Sequence, residues 1–372
     1  MNFAPLPAKS ITERPLRILF GSAHPYLPQM IGGAQTSTHQ LVERLRERGH
    51  QVAVLAGLTG EGWLGVQGRI RLKLGRKGYV CDTGLGYPVF RAWFAERAVA
   101  DVVARFRADV AVFQSRLPVQ LAAAIDRRKV RTFLYLRNVE TKDLGGALAD
   151  IPGTRYIANS HFTARRFSET DGIESEVIYP LIAADRYAVT PTRKSVTFIN
   201  PHPDKGADLA FDLARACPEL PFTFVRGWGL SDAEEAHLQR RLAETPNVTL
   251  LPSTDDMRSV YGDARIVLAP SQWEEAFGRV VAEAQVSGIP VLASDIGGLP
   301  EAVGPGGVLL PPDAPVSEWA DALRGLWNDE VAYEATARAA LTHASRPDLM
   351  PDYQIDRLLR TLGGAPVARA GP

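Results

Sequence analysis

The stretch PSQWEEAFGRVVAEAQVSGIPVLASDIGGLPEAV, residues 270–303, contains one unit of a parallel α/β fold. A predicted strand, Arg265 to Ala269, leads into it, and a loop connects that strand to a predicted helix, Gly278 to Ser287. Gly288 and Pro290 end the helix, and the apolar run PVLAS forms the next strand. A strand, a helix and a strand in this order predict parallel strands joined by a right-handed crossover.

Apolar runs alternate with amphipathic stretches on both sides of this segment, and the alternation starts twice. The first series begins at Arg17 to Ser22 and the second at Val196 to Asn200. Between Pro180 and Lys194 few apolar residues are periodic, so we expect the boundary there. We therefore predict an α/β protein with two Rossmann-like, doubly wound domains facing across a cleft, residues 1–185 and 194–348. A helical stretch within residues 349–372 either caps the second domain or crosses back to the first.

Composition excludes several classes of protein. Hydrophobic residues make up 45% and charged residues 23% of the 372 residues, as in soluble globular proteins. Lysine and arginine balance aspartate and glutamate at 42 each, which argues against a nucleic-acid partner. The two cysteines, Cys81 and Cys217, lack metal-ligand spacing and fit a reducing cytoplasm. No apolar run is long enough for a transmembrane segment, and residues 1–15 lack a signal core, which is typical of a loose leader.

Two carboxylates in the opening stretch are candidate ligands for a sugar. Glu275 lies in the loop and Glu283 in the helix, so at most about 12 Å of helical rise separates their backbones. A carboxylate suits sugar hydroxyls because it accepts two hydrogen bonds. The first could hold a hexose and the second a ribose, while Arg279 and the helix N-terminus meet a diphosphate. The alternative is that Glu283 lies on the surface of an amphipathic helix.

Two further loops follow predicted strands and carry residues suited to phosphate. Gly32 and Gly33 precede a helix, where small residues let the backbone approach a ligand. Lys205 and Gly206 follow the strand that ends at Asn200. A lysine at this place can reach a phosphate. Taken singly, the Gly32-Gly33 loop could equally be an ordinary turn, and Lys205 could be a solvated lysine at the start of a helix.

The chain resembles the retaining glycosyltransferases of family 4, which have the GT-B fold. The resemblance rests on Glu-x-Phe-Gly, a second Glu eight residues after the first, Gly-x-Pro-Val and Gly-Gly-x-Pro-Glu. The matching residues are Glu275, Phe277, Gly278, Glu283, Gly288, Pro290, Val291, Gly297, Gly298, Pro300 and Glu301. The resemblance implies transfer of a sugar from a nucleoside-diphosphate donor to a hydroxyl of a small-molecule, glycan or lipid-linked acceptor, with retention of configuration.

The resemblance also implies a role for each matching residue. Glu275 would contact the donor sugar, Glu283 the ribose and Lys205 the diphosphate, whose developing charge it neutralises. Phe277 and Gly278 would present backbone amides. From the first domain, the loop of Gly32 and Gly33 would approach the phosphates. No Asp-x-Asp motif occurs, so neither a metal nor another cofactor is expected.

The sequence departs from the family at two positions. The family pairs its lysine with an arginine five residues earlier, where this chain has Asn200. Arg279 or Arg226 could supply that charge. The family also often has a histidine after the strand that here ends in Leu136-Arg137-Asn138. Arg137 and Asn138 are therefore candidate contacts for phosphate or for an acceptor, and His24 is a candidate histidine of the cleft.

One segment, Gly57 to Tyr87, does not follow the α/β alternation because it is rich in glycine and basic residues. Its sequence RIRLKL alternates charged and apolar residues, which predicts an edge strand in a solvated hairpin. The alternative is a basic lip that receives an anionic acceptor or a lipid headgroup surface. We expect the protein to be cytoplasmic, and the basic lip leaves open a peripheral contact at the inner membrane face. The basic residues are Arg69, Arg71, Lys73, Arg76 and Lys77.

Two alternative functions use the same fold. A sugar-nucleotide epimerase would need acid and base groups in the cleft, and the first domain shows no convincing set. A non-catalytic sugar-nucleotide binder would fit the missing arginine and histidine. An NAD dehydrogenase is disfavoured because no Gly-x-Gly-x-x-Gly follows the first strand.

Overall fold

A computed structural model of the protein describes residues 15–75 and 77–363. Most of the predicted leader, Arg76 and the residues after 363 lie outside these ranges. The described chain forms two sheets, one of eight strands and one of six, so the predicted α/β class with two doubly wound units is confirmed.

The first sheet has the order β3-β4-β2-β1-β5-β6-β7-β8, and all neighbours are parallel except β3 and β4. Its strands β1 to β8 are Arg17–Pro25, Gln51–Gly57, Val80–Asp82, Val89–Ala92, Val110–Gln114, Arg131–Leu136, Arg155–Ala158 and Ser175–Val177. The α-helices α1 to α6 are Gly33–Glu47, Gly62–Leu74, Ala95–Phe106, Pro118–Ala123, His161–Asp171 and Ala184–Tyr187. Short 3₁₀ turns cover Thr141–Asp143 and Leu148–Asp150.

The second sheet is wholly parallel, in the order β11-β10-β9-β12-β13-β14. Its strands β9 to β14 are Ser195–Ile199, Phe222–Val225, Val248–Leu251, Ala264–Ala269, Val291–Ser294 and Gly307–Leu310. The helices α7 to α14 are Ala207–Ala216, Asp232–Glu244, Met257–Tyr261, Arg279–Gln285, Leu299–Val303, Val316–Asn328, Glu330–Ala344 and Pro351–Gly363. Two 3₁₀ turns cover Pro203–Lys205 and Pro347–Leu349.

The last helix, α14, packs on the first sheet. Its apolar side chains Ile355, Leu358 and Leu362 are buried in the core that also contains the strands β1, β2, β5 and β6. The carbonyl of Leu362 accepts a hydrogen bond of 2.7 Å from Arg131 of β6. We call the part built on the first sheet the first half and the part built on the second sheet the second half. The chain therefore passes between the two halves twice, once after β8 and once before α14.

The stretch RIRLKL, predicted as an edge strand, lies in the helix α2, so that prediction was wrong, whereas β3 of the same segment is an edge strand that pairs antiparallel with β4. Gly65 and Gly68 are buried and let the helix lie directly on the preceding loop. A Cβ at Gly65 would lie 2.6 Å from the Thr59 carbonyl oxygen, and one at Gly68 2.9 Å from a methyl of Leu58. The two-residue alternation of RIRLKL concealed this helical spacing of glycines.

Candidate functional site

The strand order changes direction once in each sheet, between β1 and β5 and between β9 and β12. Ligands of open α/β sheets bind at these points, beyond the carboxyl ends of the strands. The loops that follow β1, β9, β10 and β12 carry most of the candidate residues, and two glycines show how closely the halves approach. A Cβ at Gly32 would lie 4.0 Å from Trp228 Nε1, and one at Gly33 would lie 3.5 Å from Arg279 Cδ.

Lys205 and Glu275 form an ion pair at the switch point of the second sheet. The distance from Lys205 Nζ to Glu275 Oε1 is 2.5 Å, and both side chains are less than one-fifth exposed. Ser271 Oγ donates a second hydrogen bond, of 2.8 Å, to the same carboxylate oxygen. Trp228 and Trp273 flank the ammonium group, with ring centroids 4.7 Å and 4.8 Å from Nζ. The cation is thus held in one place by a carboxylate and two indole rings.

Gly206 sets the position of Lys205. Its φ is +80°, and a Cβ there would lie 1.9 Å from the carbonyl oxygen of Pro270. No other residue type fits this left-handed, crowded position. The turn after β9 can therefore rest directly on the end of β12, which brings Lys205 to Glu275.

The two glycines of Gly-Gly-x-Pro-Glu support the loop that carries Glu275. Gly297 has a φ of +64°, and a Cβ there would lie 2.7 Å from the Glu275 nitrogen. Gly298 N donates a hydrogen bond of 2.6 Å to the Glu275 carbonyl. A Cβ at Gly298 would meet the Ala276 carbonyl at 2.6 Å. This motif therefore acts on the sugar-binding candidate through close backbone contact.

The last residue of that motif, Glu301, connects the two halves. Its carboxylate accepts hydrogen bonds of 3.0 Å from His161 N and Phe162 N, at the start of α5. Tyr179 OH donates a third, of 2.5 Å. Ser160 caps this helix, because its hydroxyl accepts a hydrogen bond of 3.0 Å from Thr163 N. His161 therefore contributes a backbone contact between the halves.

Glu283 is buried, so its interpretation as a surface residue was wrong. Tyr261 OH donates to Oε2 at 3.0 Å, and Arg279 Nε donates to Oε1 at 3.0 Å. The Arg279 guanidinium also donates to Ser37 Oγ, Leu181 O and Tyr187 OH. Burial opposes the positive charge of Arg279, but the Glu283 carboxylate and Tyr187 together outweigh that effect, so the pKa of Arg279 is raised. Arg279 therefore joins α10 to α1 and fixes the carboxylate of Glu283.

Arg137, directly after β6, has two donors that remain unused among the described residues. Its Nε and Nη2 are enclosed and have no hydrogen-bond partner within residues 15–75 and 77–363. The guanidinium lies 4.1 Å from the ring centroid of Tyr135. Burial lowers the pKa of Arg137, and the positive charge of Arg279 lowers it further. Two neighbouring guanidinium groups, one with free donors, form an arrangement that an anion would stabilise.

Asn138 and His24 are the other candidate residues of the first half. Asn138 Nδ2 donates to Asp143 at 3.2 Å. His24 borders a small cavity beside Gln35 and Gln114, and its buried Nδ1 has no partner among the described residues. Burial lowers the pKa of His24, and so does the charge of Arg116, so its neutral form is favoured.

Asn200 and Arg226 have partners that leave Lys205 as the cation nearest Glu275. Asn200 adopts a φ of +66°, and its Oδ1 accepts a hydrogen bond of 2.8 Å from Trp228 N. Arg226 forms a two-point ion pair with Glu235, with distances of 2.6 Å and 2.7 Å. Asn200 thus holds the backbone of Trp228, whose indole lies beside Lys205, while Arg226 points to α8.

Phe277 and Gly278 form the turn into α10. Phe277 is buried, and its ring lies 5.5 Å from that of Tyr179. Gly278 has a φ of +92°, and a Cβ there would meet Leu299 at 2.7 Å. Sequence reasoning missed Trp228 and Trp273, although each lies just beyond a strand of the second sheet, where the switch-point rule directs the search.

Comparisons with known families agree with this geometry. A family model described as Glycosyltransferase Family 4 matches residues 31–186, and one described as Glycosyl transferases group 1 matches residues 200–329. The two matches together cover more than half of the chain and divide it between the same two sheets. The chain belongs to glycosyltransferase family 4.

Relatives of this family-4 chain include two proteins named D-inositol 3-phosphate glycosyltransferase. The one from Nocardia farcinica is 30% identical over 237 residues, which cover 55% of this chain and 52% of the relative. The one from Paenarthrobacter aurescens is 34% identical over 139 residues, or 36% of this chain and 34% of the relative. The chain therefore spans from about a third to just over half of the length of these curated relatives.

Solved structures show the GT-B fold for this family-4 chain. A glycosyltransferase from Rickettsia africae has a TM-score of 0.72 at 15% identity, covering 94% of this chain and 98% of its own. Anabaena Alr3699/HepE, solved in complex with UDP and glucose, has a TM-score of 0.72 at 20% identity, covering 93% and 99%. These likenesses show a common fold.

Over the described ranges, no group of three or more His, Cys, Asp or Glu side chains is placed to hold a metal ion. Over the same ranges, no helix combines the length and apolar character that crossing a bilayer requires.

Proposed function

We propose that this protein transfers a sugar from a nucleoside-diphosphate donor to an acceptor hydroxyl, with retention of anomeric configuration. The carrying observation is the ion pair of Lys205 and Glu275 between two indole rings, at the switch point of the second sheet. It places a fixed cation and a fixed carboxylate side by side, as a phosphate leaving group and a sugar ring require.

Donor binding would exchange the partners of this pair. Removing one member of a partly buried ion pair is costly unless another charge replaces it. A donor supplies both replacements, since its diphosphate can accept from Lys205 and its sugar hydroxyls can donate to Glu275. The pair thus keeps both side chains in position for the donor.

The reaction would break the bond between the anomeric carbon and the phosphate oxygen. The acceptor oxygen bonds to the same carbon from the same face, its proton passes to the departing phosphate, and the nucleoside diphosphate leaves. Negative charge develops on the phosphate, so Lys205 and Arg137 stabilise the transition state by electrostatic attraction. Arg279 adds positive charge beside Arg137, in place of the arginine that is absent at Asn200.

The ribose would bind at Glu283. A carboxylate has about four lone-pair sites. Arg279 and Tyr261 occupy some of them and fix the orientation of the group. The remaining lone pairs of the Glu283 carboxylate can accept hydrogen bonds from the ribose hydroxyls. Gly33 and the start of α1 would then lie close to the diphosphate.

The decisive experiment combines a binding panel with product analysis. The unfolding midpoint is measured with UDP, GDP, ADP, TDP and their sugars, because a ligand at a hundredfold excess over its dissociation constant adds about 2.7 kcal/mol. The relatives' names make D-inositol 3-phosphate the first acceptor to test, with UDP-sugars as first donors. NMR of the product then reports whether the donor's anomeric configuration is kept.

Three outcomes of that experiment contradict the proposal. An epimerase would interconvert donor sugars without an acceptor. A non-catalytic binder would show a thermal shift and no product with any acceptor. An inverted anomeric centre would retain the transferase activity and overturn the stereochemistry.

A further inference from the structure

Helix α2 turns large apolar side chains toward solvent, whereas an ordinary surface helix turns them toward the core. The face toward the protein carries Gly65 and Gly68, which lie against the loop of residues 58–60. The face toward solvent carries Trp63, Val66, Ile70 and Leu74, which are 75%, 44%, 53% and 84% exposed. At about 100° per residue, these four side chains fall within an arc of about 80°. A continuous apolar stripe on the outside of a protein marks an interaction surface.

Basic side chains border the stripe on both sides. On the same projection Arg71 lies beyond Leu74, while Lys73 and Arg69 lie beyond Val66. The helix contains no aspartate or glutamate, although the whole chain has as many acidic as basic residues. Positive charge is therefore concentrated at this helix, so its partner must be apolar in the middle and anionic at the edge.

We propose that α2 lies flat in the headgroup region of an anionic lipid bilayer and docks the protein there. Its 13 residues span about 20 Å, too short to cross a hydrocarbon core of about 30 Å. An apolar stripe bordered by arginine and lysine suits the interface, where the stripe reaches the acyl boundary and the cations meet lipid phosphates. Because Gly65 and Gly68 form the buried face of the helix, the large apolar side chains of the stripe remain exposed and can contact the lipid.

Exposed aromatic residues extend the surface beside α2. Trp93 and Phe94, after β4, are 42% and 55% exposed. Trp93 and Arg69 both lie over Gly60, where a Cβ would be 3.8 Å and 2.4 Å from them. Arg97 lies 4.5 Å from the Phe94 ring centroid. Tryptophan and arginine together are typical of membrane interfaces.

The docking surface is connected to the wall of the cleft. Gln29, in the loop between β1 and α1, donates hydrogen bonds of 3.2 Å and 3.3 Å to the carbonyls of Thr59 and Glu61. Glu61 immediately precedes α2. Met30 and Ile31 of the same loop are also exposed. A bilayer beneath α2 would therefore lie beside the first half's side of the cleft, opposite the half that holds Lys205 and Glu275.

The test is flotation of the full chain with phosphatidylcholine vesicles, with and without phosphatidylglycerol. Binding is expected only with the anionic lipid and is expected to fall as salt is raised. Ile70→Ser and Leu74→Ser should each weaken binding by about tenfold. Arg71→Gln and Lys73→Gln should each weaken it by about fivefold. Brominated lipid should quench tryptophan fluorescence in the wild type, and less in Trp63→Phe.

Matched controls distinguish docking from general stickiness. Val331→Ser removes an equally exposed apolar side chain from α13, and Arg128→Gln removes an exposed cation elsewhere. Both should bind vesicles as the wild type does. Equal binding by Leu74→Ser and the wild type would overturn the proposal. So would a dimer in light scattering that Leu74→Ser dissociates, because the stripe would then cover a second copy. Neither readout depends on turnover, so the proposed transferase activity stands or fails separately.

Discussion

Lys205 and Glu275 lie 70 positions apart in the sequence and form a 2.5 Å ion pair because their strands, β9 and β12, are neighbours in the sheet. Each offsets the charge of the other in a partly buried place. The pair thereby preorganises the two groups that transfer requires, and neither can be altered without releasing the other.

We expect Lys205→Met and Glu275→Gln each to lower kcat by about 10²- to 10³-fold, because each removes a contact that strengthens as the glycosidic bond breaks. The double variant should lose little more than either single variant, since the two residues act as a unit. Steady-state kinetics of folded preparations measure this. Glu274→Gln is the matched control, because Glu274 pairs with Arg166 and not with Lys205. Near-normal turnover in either single variant would remove the site assignment.

Gly297→Ala should lower activity without touching a ligand. The added methyl would lie 2.6 Å from the Glu275 carbonyl oxygen and would occupy a left-handed backbone position, so the Glu275 loop must move. A misplacement of about 1 Å costs about 10²-fold in rate. Gly325→Ala in α12 is the control, since nothing lies within 4 Å of its Cβ position. That variant should keep full activity and gain about 0.4–1 kcal/mol of stability. Equal kcat/KM in Gly297→Ala and the wild type would contradict this account of the motif.

The sequence was sufficient to predict the parallel strands on both sides of the strongest motif. Residues 270–303 fold as strand, loop, helix and strand, because buried parallel strands are continuous apolar runs with clear boundaries. Glu283 was singled out because a carboxylate within an apolar helix is unusual unless it is paired, whereas the role predicted for Lys205 came from the family resemblance.

Other features depend on contacts that sequence order does not contain. The helix α2 was mistaken for a strand, because its buried face consists of glycines and its apolar side chains point outward. The role of Glu301 as a link to α5 requires knowing that the halves meet there. Apart from Glu283, the partners of Arg279 come from α1, the segment before α6 and α6 itself, none of which is near it in the sequence.

Arg137→Met should weaken binding of the donor diphosphate. Two of its enclosed nitrogens have no partner within the described ranges, so a bound phosphate would gain charge-assisted hydrogen bonds there. Losing one such contact is expected to raise the dissociation constant by about tenfold or more. Titration calorimetry with the nucleoside diphosphate measures it. Arg128→Met, an exposed arginine of the same half, serves as the control. If Arg137→Met binds the nucleoside diphosphate as tightly as the wild type, the unpaired nitrogens of Arg137 do not bind the donor diphosphate.

Arg279→Ala should lower donor affinity through Glu283. The substitution leaves a buried carboxylate with only Tyr261 as a hydrogen-bond donor, so Glu283 would lose both its orientation and its countercharge. Arg279→Lys keeps the charge but not the fork of donors and should recover part of the affinity. Dissociation constants of the nucleotide, with and without its sugar, distinguish a ribose effect from a sugar effect. Full affinity and rate in Arg279→Ala would reject this role and leave those of Glu275 and Lys205 untouched.

His50 should make the stability of the protein depend on pH. Burial lowers the pKa of its imidazole below the usual 6.5, and its Nδ1 accepts a hydrogen bond of 3.1 Å from Leu16 N, which only the neutral ring can do. The unfolded chain therefore takes up a proton at higher pH than the folded one. The stabilisation is complete above pH 6.5 and is lost as the pH falls from there through the lower pKa of the folded state. Thermal unfolding midpoints measured from about pH 8 to about pH 5 should fall in this window. His50→Gln, which keeps an acceptor for Leu16 N, should reduce the slope. The same slope in His50→Gln and the wild type would show that His50 takes up its proton equally in the folded and unfolded states.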